Sequence, residues 1–190
     1  IYYSLMKILK FFIIIFIFLN SPIKADSNEA MIGELQKGGK LIFIRHAYAP
    51  GGGDPPNFDI NICETQRNLN DEGREQSKKI GNFFKTNNIS IYKIYSSEWC
   101  RCKETAEIAF KKFETKNFLN SFFSAKFSKN RKKQVIDFNM FLKNWDKKQN
   151  IIFVTHYVVI SELINYAPSS GEIVITDKNL KVIDTLEIEY

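Results

Sequence analysis

Leu41-Ile42-Phe43-Ile44-Arg45-His46 and Ile151-Ile152-Phe153-Val154-Thr155-His156 decide how this chain is read. Each is a short, unbroken apolar run that ends on a polar residue and then on one of the two histidines in the sequence. Runs of this length without alternation belong to strands buried on both faces, as in a parallel sheet covered by helices. A side chain that follows such a strand stands at the carboxyl edge of the sheet, where open α/β sheets bind their ligands. The two endings therefore predict one site at one edge. An arginine beside the first histidine suits that site to an anion better than to a metal.

Outward from these runs, strand and helix signals alternate. The first strand spans Lys40 to Arg45 and is followed by a Gly/Pro/Asp-rich loop from Pro50 to Asn57. Asn70 caps a helix from about Arg74 to Lys85 that buries Ile80, Phe83 and Phe84. A second strand runs from Ile91 to Tyr95, Ser96-Ser97 closes it, and a helix follows from Glu98 to Phe110. A short third strand is expected near Phe118-Leu119. Val135, Phe138, Phe141, Leu142 and Trp145 share one face of a helix spanning Asn130 to Trp145. After the strand Ile151 to Thr155 comes a short helix, Val158 to Tyr166. Glu172 to Thr176 and Lys181 to Glu187 form a hairpin that turns at Asp177-Lys178-Asn179. The expected fold is α/β: a three-layer α/β/α sandwich whose central sheet is mostly parallel, with an antiparallel C-terminal hairpin.

Residues 1–25 read as a targeting segment. Met6-Lys7-Ile8-Leu9-Lys10 is a short basic start, Phe11 to Leu19 is wholly apolar, and Ile23-Lys24-Ala25 offers a cleavage site after Ala25. The apolar stretch is short for a bilayer span, so a cleaved secretory signal is the reading. An uncleaved anchor, with membrane contact through it, is the alternative. Ile1 to Leu5 precede the expected initiator methionine and read as a mis-called start. Residues 26–39 form a lead-in, and residues 40–190 one domain of a size that a single core fills. Export puts the chain in the periplasm or cell envelope, where disulfides persist. Of Cys63, Cys100 and Cys102, one pair and one spare thiol is the expected arithmetic, with Cys63 joined to Cys100 or to Cys102. Cys100-Arg101-Cys102 has the wrong spacing for a zinc knuckle and sets a cation between the ligands, so no metal site is read.

The formal net charge is +6, of which Lys7, Lys10 and Lys24 supply three. What remains suits a small anionic substrate. Lysines and arginines are scattered and form no stripe with interleaved aromatics, which gives no nucleic-acid reading. Lys129-Asn130-Arg131-Lys132-Lys133 reads as the solvated start of a helix.

A neutral imidazole can attack phosphorus, and a neighbouring guanidinium can fork onto phosphate oxygens while lowering the histidine pKa. Arg45-His46 fits that chemistry and fits equally a satisfied histidine at a strand end. Ser97, Arg101 and Thr105, spaced at i, i+4 and i+8, share one helix face, from which Arg101 can reach the edge that holds His46. His156 opens a helix, where backbone amides and the helix dipole favour an anion to which it can donate. Gly51-Gly52-Gly53 lacks the Lys-Ser/Thr of a P-loop and reads as a flexible rim. Glu172 either lines the site or starts the hairpin.

Taken together, Arg45-His46-Ala47, Leu69-Asn70-Asp71-Glu72-Gly73-Arg74-Glu75-Gln76, Ser96-Ser97-Glu98-Trp99-Cys100-Arg101-Cys102-Lys103-Glu104-Thr105-Ala106 and Val154-Thr155-His156-Tyr157 resemble the histidine phosphatase superfamily, also called phosphoglycerate-mutase-like, in order and spacing. The resemblance covers most of residues 40 to 176. It implies a two-step phosphoryl transfer in which His46 forms a phosphohistidine that water then cleaves. Arg45, Arg101 and His156 would clamp the phosphoryl oxygens. No metal and no organic cofactor is implied. Asn70 and Gly73 would shape the turn into the helix, and Thr105 would position Arg101.

The resemblance supplies no general acid. The mutase branch carries a glutamate where Leu119-Asn120-Ser121 stands, and the acid-phosphatase branch an aspartate where Tyr157 stands. Asp54 and Glu98 are candidates by position alone. The expected activity is a phosphomonoester hydrolase acting on a small phosphorylated substrate. The alternatives are a non-catalytic phosphoryl-binding or scaffold protein on the same fold, and a mutase, which export disfavours.

Overall fold

The computed structural model describes residues 25–190, and the expected basic start and apolar run, residues 6–19, lie outside them. The chain divides at residue 31 into two units, of which the second, residues 32–190, holds the whole sheet. The elements are α1 (Ala25–Gln36), β1 (Leu41–Arg45), α2 (Asp71–Thr86), β2 (Lys93–Ser96), α3 (Cys100–Phe110), β3 (Glu114–Thr115), α4 (Ala125–Ser128), α5 (Arg131–Leu142), β4 (Ile151–Thr155), α6 (Tyr157–Ile164), β5 (Ile173–Thr176) and β6 (Val182–Leu186), with 3-10 turns at Cys63–Thr65 and Asn117–Leu119. Among the described residues no helix is long and apolar enough to cross a membrane.

The strands form one sheet in the order β3-β2-β4-β1-β5-β6. β3, β2, β4 and β1 pair in parallel, while β5 and β6 are antiparallel, as the hairpin signal predicts. Alternation along the strands explains why the apolar runs are unbroken. Leu41, Phe43, Ile151 and Phe153 face a core shared with Phe138, Trp145 and Ile160. Ile42, Ile44, Ile152 and Val154 point the other way and are equally buried. The rings of Phe43 and Phe138 each lie 5.3 Å from that of Phe153. Truncating Phe153 to alanine would open a cavity at this junction, at a cost of about 3–5 kcal/mol.

Polar residues set the ends of the elements. Asn70 caps α2 as expected, its Oδ1 accepting the Gly73 N–H at 3.0 Å. Gly73 is required by close approach, since a Cβ there would lie 2.0 Å from the Tyr48 carbonyl oxygen. Asn150, fully buried, donates to the Leu35 and Ser90 carbonyls and accepts the Lys40 N–H, tying the starts of β1 and β4 together. One expectation is corrected. The third strand is Glu114–Thr115, and Asn117–Leu119 is a 3-10 turn. Phe118 and Leu119 are apolar because they pack on Phe138 and its neighbours, not because they pair in the sheet.

Candidate active site

Arg45 pairs with Thr155 across β1 and β4, so His46 and His156 leave the sheet at the same level. The His46 backbone N–H donates to the Thr155 carbonyl at 2.9 Å. The two buried rings stand edge to face with centroids 5.5 Å apart.

The tautomer of His46 follows from its neighbours. Nδ1 lies 2.8 Å from the Ala47 carbonyl oxygen, which only accepts, so Nδ1 carries the proton and Nε2 the lone pair. Arg101 Nε donates to that lone pair at 3.2 Å. Burial first, then the charge of Arg101, holds His46 well below the usual histidine range; Arg67 and Arg45 add to this, against the opposing bond to Ala47. His156 has the reverse arrangement. Its Nδ1 faces Arg101 Nη2 at 3.5 Å and its Nε2 faces Ser97 Oγ at 3.0 Å, so Nε2 is protonated and Nδ1 is free to accept. Burial first, then Arg101, His46, Arg67 and Arg45, pushes it well below the usual range too. His156 therefore turns a lone pair toward Arg101 at rest. It becomes a donor there only on gaining a proton, which an arriving anion favours.

Arg101 is buried in the first turn of α3. No side chain of the capping residue, Trp99, supports this helix start; Gln66 Oε1 accepts the Cys100 N–H at 2.9 Å instead. Thr105 accepts the Ala47 N–H at 3.0 Å and donates to the Arg101 carbonyl at 2.7 Å, locking the segment after His46 to α3. Arg45 donates from Nη1 to the Pro168 carbonyl at 2.9 Å, and its guanidinium lies 5.3 Å over the Tyr157 ring. Its buried Nε has no partner among the described residues. Glu172 is a brace: it accepts from Tyr166 and from the Ser169 N–H, beside the carbonyl that holds Arg45. Arg45, His46, Asp54, Arg101 and His156 all line one cavity of about 680 Å³, whose rim includes Gly51 to Gly53.

Arg67, for which the sequence offers no signal beyond one arginine in a polar loop, lines the same cavity. It donates to the Gly53 carbonyl at 3.1 Å and to that of Ala49. Burial first, then Arg101, lowers its pKa. The Cys63–Cys100 disulfide ties its loop to α3, and Cys102 is free and buried. Burial pushes the Cys102 thiol up to about 12, which keeps it protonated beside His156 Nε2.

The two acids expected by position are occupied. Asp54 takes Arg101 Nη1 at 2.6 Å and Nη2 at 3.3 Å, Trp99 Nε1 at 3.0 Å and the Arg67 N–H at 3.1 Å. Burial raises its pKa, but the Arg101 bond and charge, Trp99 and the Arg67 amide outweigh this and hold it below the ordinary carboxylate value. Glu98 accepts from Asn120 Nδ2 and is not among the residues lining the cavity. Asn120 itself accepts from Ser97 Oγ and the Glu98 N–H, so it braces the partner of His156.

Two histidines at the ends of adjacent parallel strands, with the buried arginine of α3 between them, make one site at the carboxyl edge of an α/β sheet. The family model described as histidine phosphatase superfamily (branch 1) matches residues 41–120. The match spans less than half of the chain, which over those residues is similar to that superfamily. Among solved structures it is similar in fold to TTHB049 from Thermus thermophilus, with TM-score 0.56 and 14% identity over 79% of this chain and 99% of that one. It is likewise similar to the protein histidine phosphatase SixA complexed with tungstate, with TM-score 0.54 and 14% identity over 77% and 96%. The putative phosphohistidine phosphatase SixA from Agrobacterium tumefaciens gives TM-score 0.55 and 16% identity over 78% and 97%. No curated protein matches the chain in sequence.

Proposed function

We propose that the chain is an exported phosphomonoester hydrolase that works through a phosphohistidine on His46. The observation that carries this is a buried, unprotonated Nε2 on His46 in a cavity lined by three arginines, Arg45, Arg67 and Arg101. A phosphoryl dianion entering the cavity takes Arg101 Nε from His46 and offers an acceptor to the unpartnered Arg45 Nε. Nε2 then gives its lone pair to phosphorus as the bond to the leaving oxygen breaks, and that oxygen keeps the bonding pair and takes its proton from solvent. The Nδ1–H bond to Ala47 holds the ring in position while the imidazole gains charge. The dianion also raises the proton affinity of His156, so that its Nδ1 can donate to a phosphoryl oxygen. Water next attacks phosphorus, the N–P pair returns to Nε2, and phosphate leaves. Asp54 serves this scheme by holding Arg101, not by giving up a proton. Export rests on residues 6–25 and is supported by the Cys63–Cys100 disulfide, a bond that persists in oxidising compartments.

The test is to incubate the protein with labelled phosphomonoesters, quench, and look for an alkali-stable, acid-labile phosphoenzyme. Label on the wild type and none on His46→Ala is the expected result. Label that persists in His46→Ala refutes the assignment. Phosphate binding without label or turnover on any substrate supports the non-catalytic phosphoryl-binding reading instead.

A further inference from the structure

We infer that the leaving group is an aromatic ring: the cavity takes an aryl phosphate, a phosphoryl group esterified to a phenolic oxygen. This deepens the hydrolase reading and rests on it. Beyond the arginines and histidines, the walls are aromatic, formed by Tyr48, Phe58, Trp99, Phe123, Phe127 and Tyr157. They are grouped. Phe58 stacks on Trp99 at 5.0 Å, with Phe127 edge-on to both at 5.5 and 5.6 Å. Phe123 leans on Tyr157 at 5.9 Å. Phe123 is 60% exposed although it is a large apolar side chain, so its ring is open to a partner. A second groove of about 520 Å³ shares Phe58, Trp99 and Phe127 with the cavity and gives room for whatever the ring is attached to.

The chemistry agrees with the shape. Among the described residues lining the cavity Asp54 is the only carboxyl, and four donors occupy it. A leaving group must then depart without a carboxylic acid to protonate it, help that is worth about 10²–10⁴-fold where an enzyme supplies it. A phenol, with a pKa of about 10, tolerates that far better than an aliphatic alcohol, whose pKa lies near the 15.7 of water. In the step itself Nε2 of His46 bonds to phosphorus, the P–O(aryl) bond breaks, and its electron pair leaves on the phenolate oxygen. That oxygen takes its proton from solvent.

The experiment compares kcat/KM for phenyl phosphate, a phosphotyrosine peptide, glycerol phosphate and acetyl phosphate, on the wild type and on Phe123→Ala and Phe127→Ala. Phenyl phosphate, the peptide or both should exceed glycerol phosphate by about 100-fold. Preference between the two aryl substrates tells a free small molecule from a tyrosine side chain. Each variant should slow the aryl substrates about fivefold, leaving acetyl phosphate turnover and inhibition by inorganic phosphate unchanged. Glycerol phosphate turned over as fast as phenyl phosphate overturns the inference. So does an equal loss on acetyl and phenyl phosphates in variants whose circular dichroism matches the wild type. If acetyl phosphate is not hydrolysed either, the hydrolase reading itself has failed.

Discussion

Replacing Asp54 by asparagine pits two effects of one carboxylate against each other. The carboxylate is an anion already seated on donors of the cavity, with Arg101 gripping both its oxygens. It therefore competes with a phosphoryl dianion for Arg101 and repels it as well. Two charges about 5 Å apart interact by about 3 kcal/mol at an effective dielectric of 20. The Asp54 side chain is 17% exposed, and solvent screening cuts the repulsion to about 1–2 kcal/mol, or roughly tenfold in Kd. The opposing effect is on stability. Arg101, with 4% of its side chain exposed, loses its countercharge. Breaking a buried pair costs about 3–5 kcal/mol, which the remaining amide oxygen of asparagine reduces to about 1–3 kcal/mol. Asp54→Asn should thus unfold at lower urea, bind inorganic phosphate about tenfold more tightly in titration calorimetry, and gain more Tm from phosphate than the wild type. Weaker or unchanged phosphate binding would refute the competition. A kcat loss of about 10²–10⁴ confined to alcohol leaving groups would make Asp54 the general acid after all.

The remaining predictions concern pH, the disulfide and one glycine. Both histidines have folded-state pKa values depressed below 6.5. The unfolded chain therefore takes up protons first as pH falls, and stability is present above about 6.5 and lost below it, by about 2–3 kcal/mol between pH 7.5 and 5.5. Urea unfolding across that range checks this, and a flat profile refutes it. The disulfide closes a separation of 37 residues, for which loop-closure entropy gives about 4 kcal/mol. Reduction should lower the urea midpoint accordingly and weaken phosphate binding by releasing the loop of Asp54 and Arg67. Phosphate affinity untouched by reduction would show that Gln66 and the Arg67 contacts hold the loop unaided. Gly73→Ala sets a methyl 2.0 Å from the Tyr48 carbonyl oxygen and should cost about 1–3 kcal/mol, whereas an ordinary glycine-to-alanine change inside a helix stabilises.

How far the molecule is legible in its sequence depends on whether a residue's partner is local. β1 and β4 stand out because burial on both faces leaves unbroken apolar runs, and Asn70 because its cap reaches only to Gly73. Arg45, His46, Arg101 and His156 can be picked out because each sits at a strand end or one helical turn from one. β3 cannot: Glu114–Thr115 is two residues long and exposed, with no period to detect. The helix Ala25–Gln36 is hidden inside a stretch that reads as a lead-in. Arg67 escapes because its place in the cavity is set from a distance, by the Cys63–Cys100 bond and by Gln66 Oε1, which accepts the Cys100 N–H of α3. Asp54 is visible as a carboxyl in a Gly/Pro loop, yet its role depends on Arg101 and Trp99, 47 and 45 residues further on.

The bond from the His46 N–H to the Thr155 carbonyl has a consequence for how such a site can change. It makes the spacing of the two imidazoles a property of the main chain, continuous with the β1–β4 ladder and indifferent to most side-chain replacement. Phe58, Phe123 and Phe127 stand on loops and on the four-residue α4 instead. Evolution, or an engineer, can redraw that outer segment as a cassette while the histidine pair keeps its geometry, so new specificities can arise here without rebuilding the inner site.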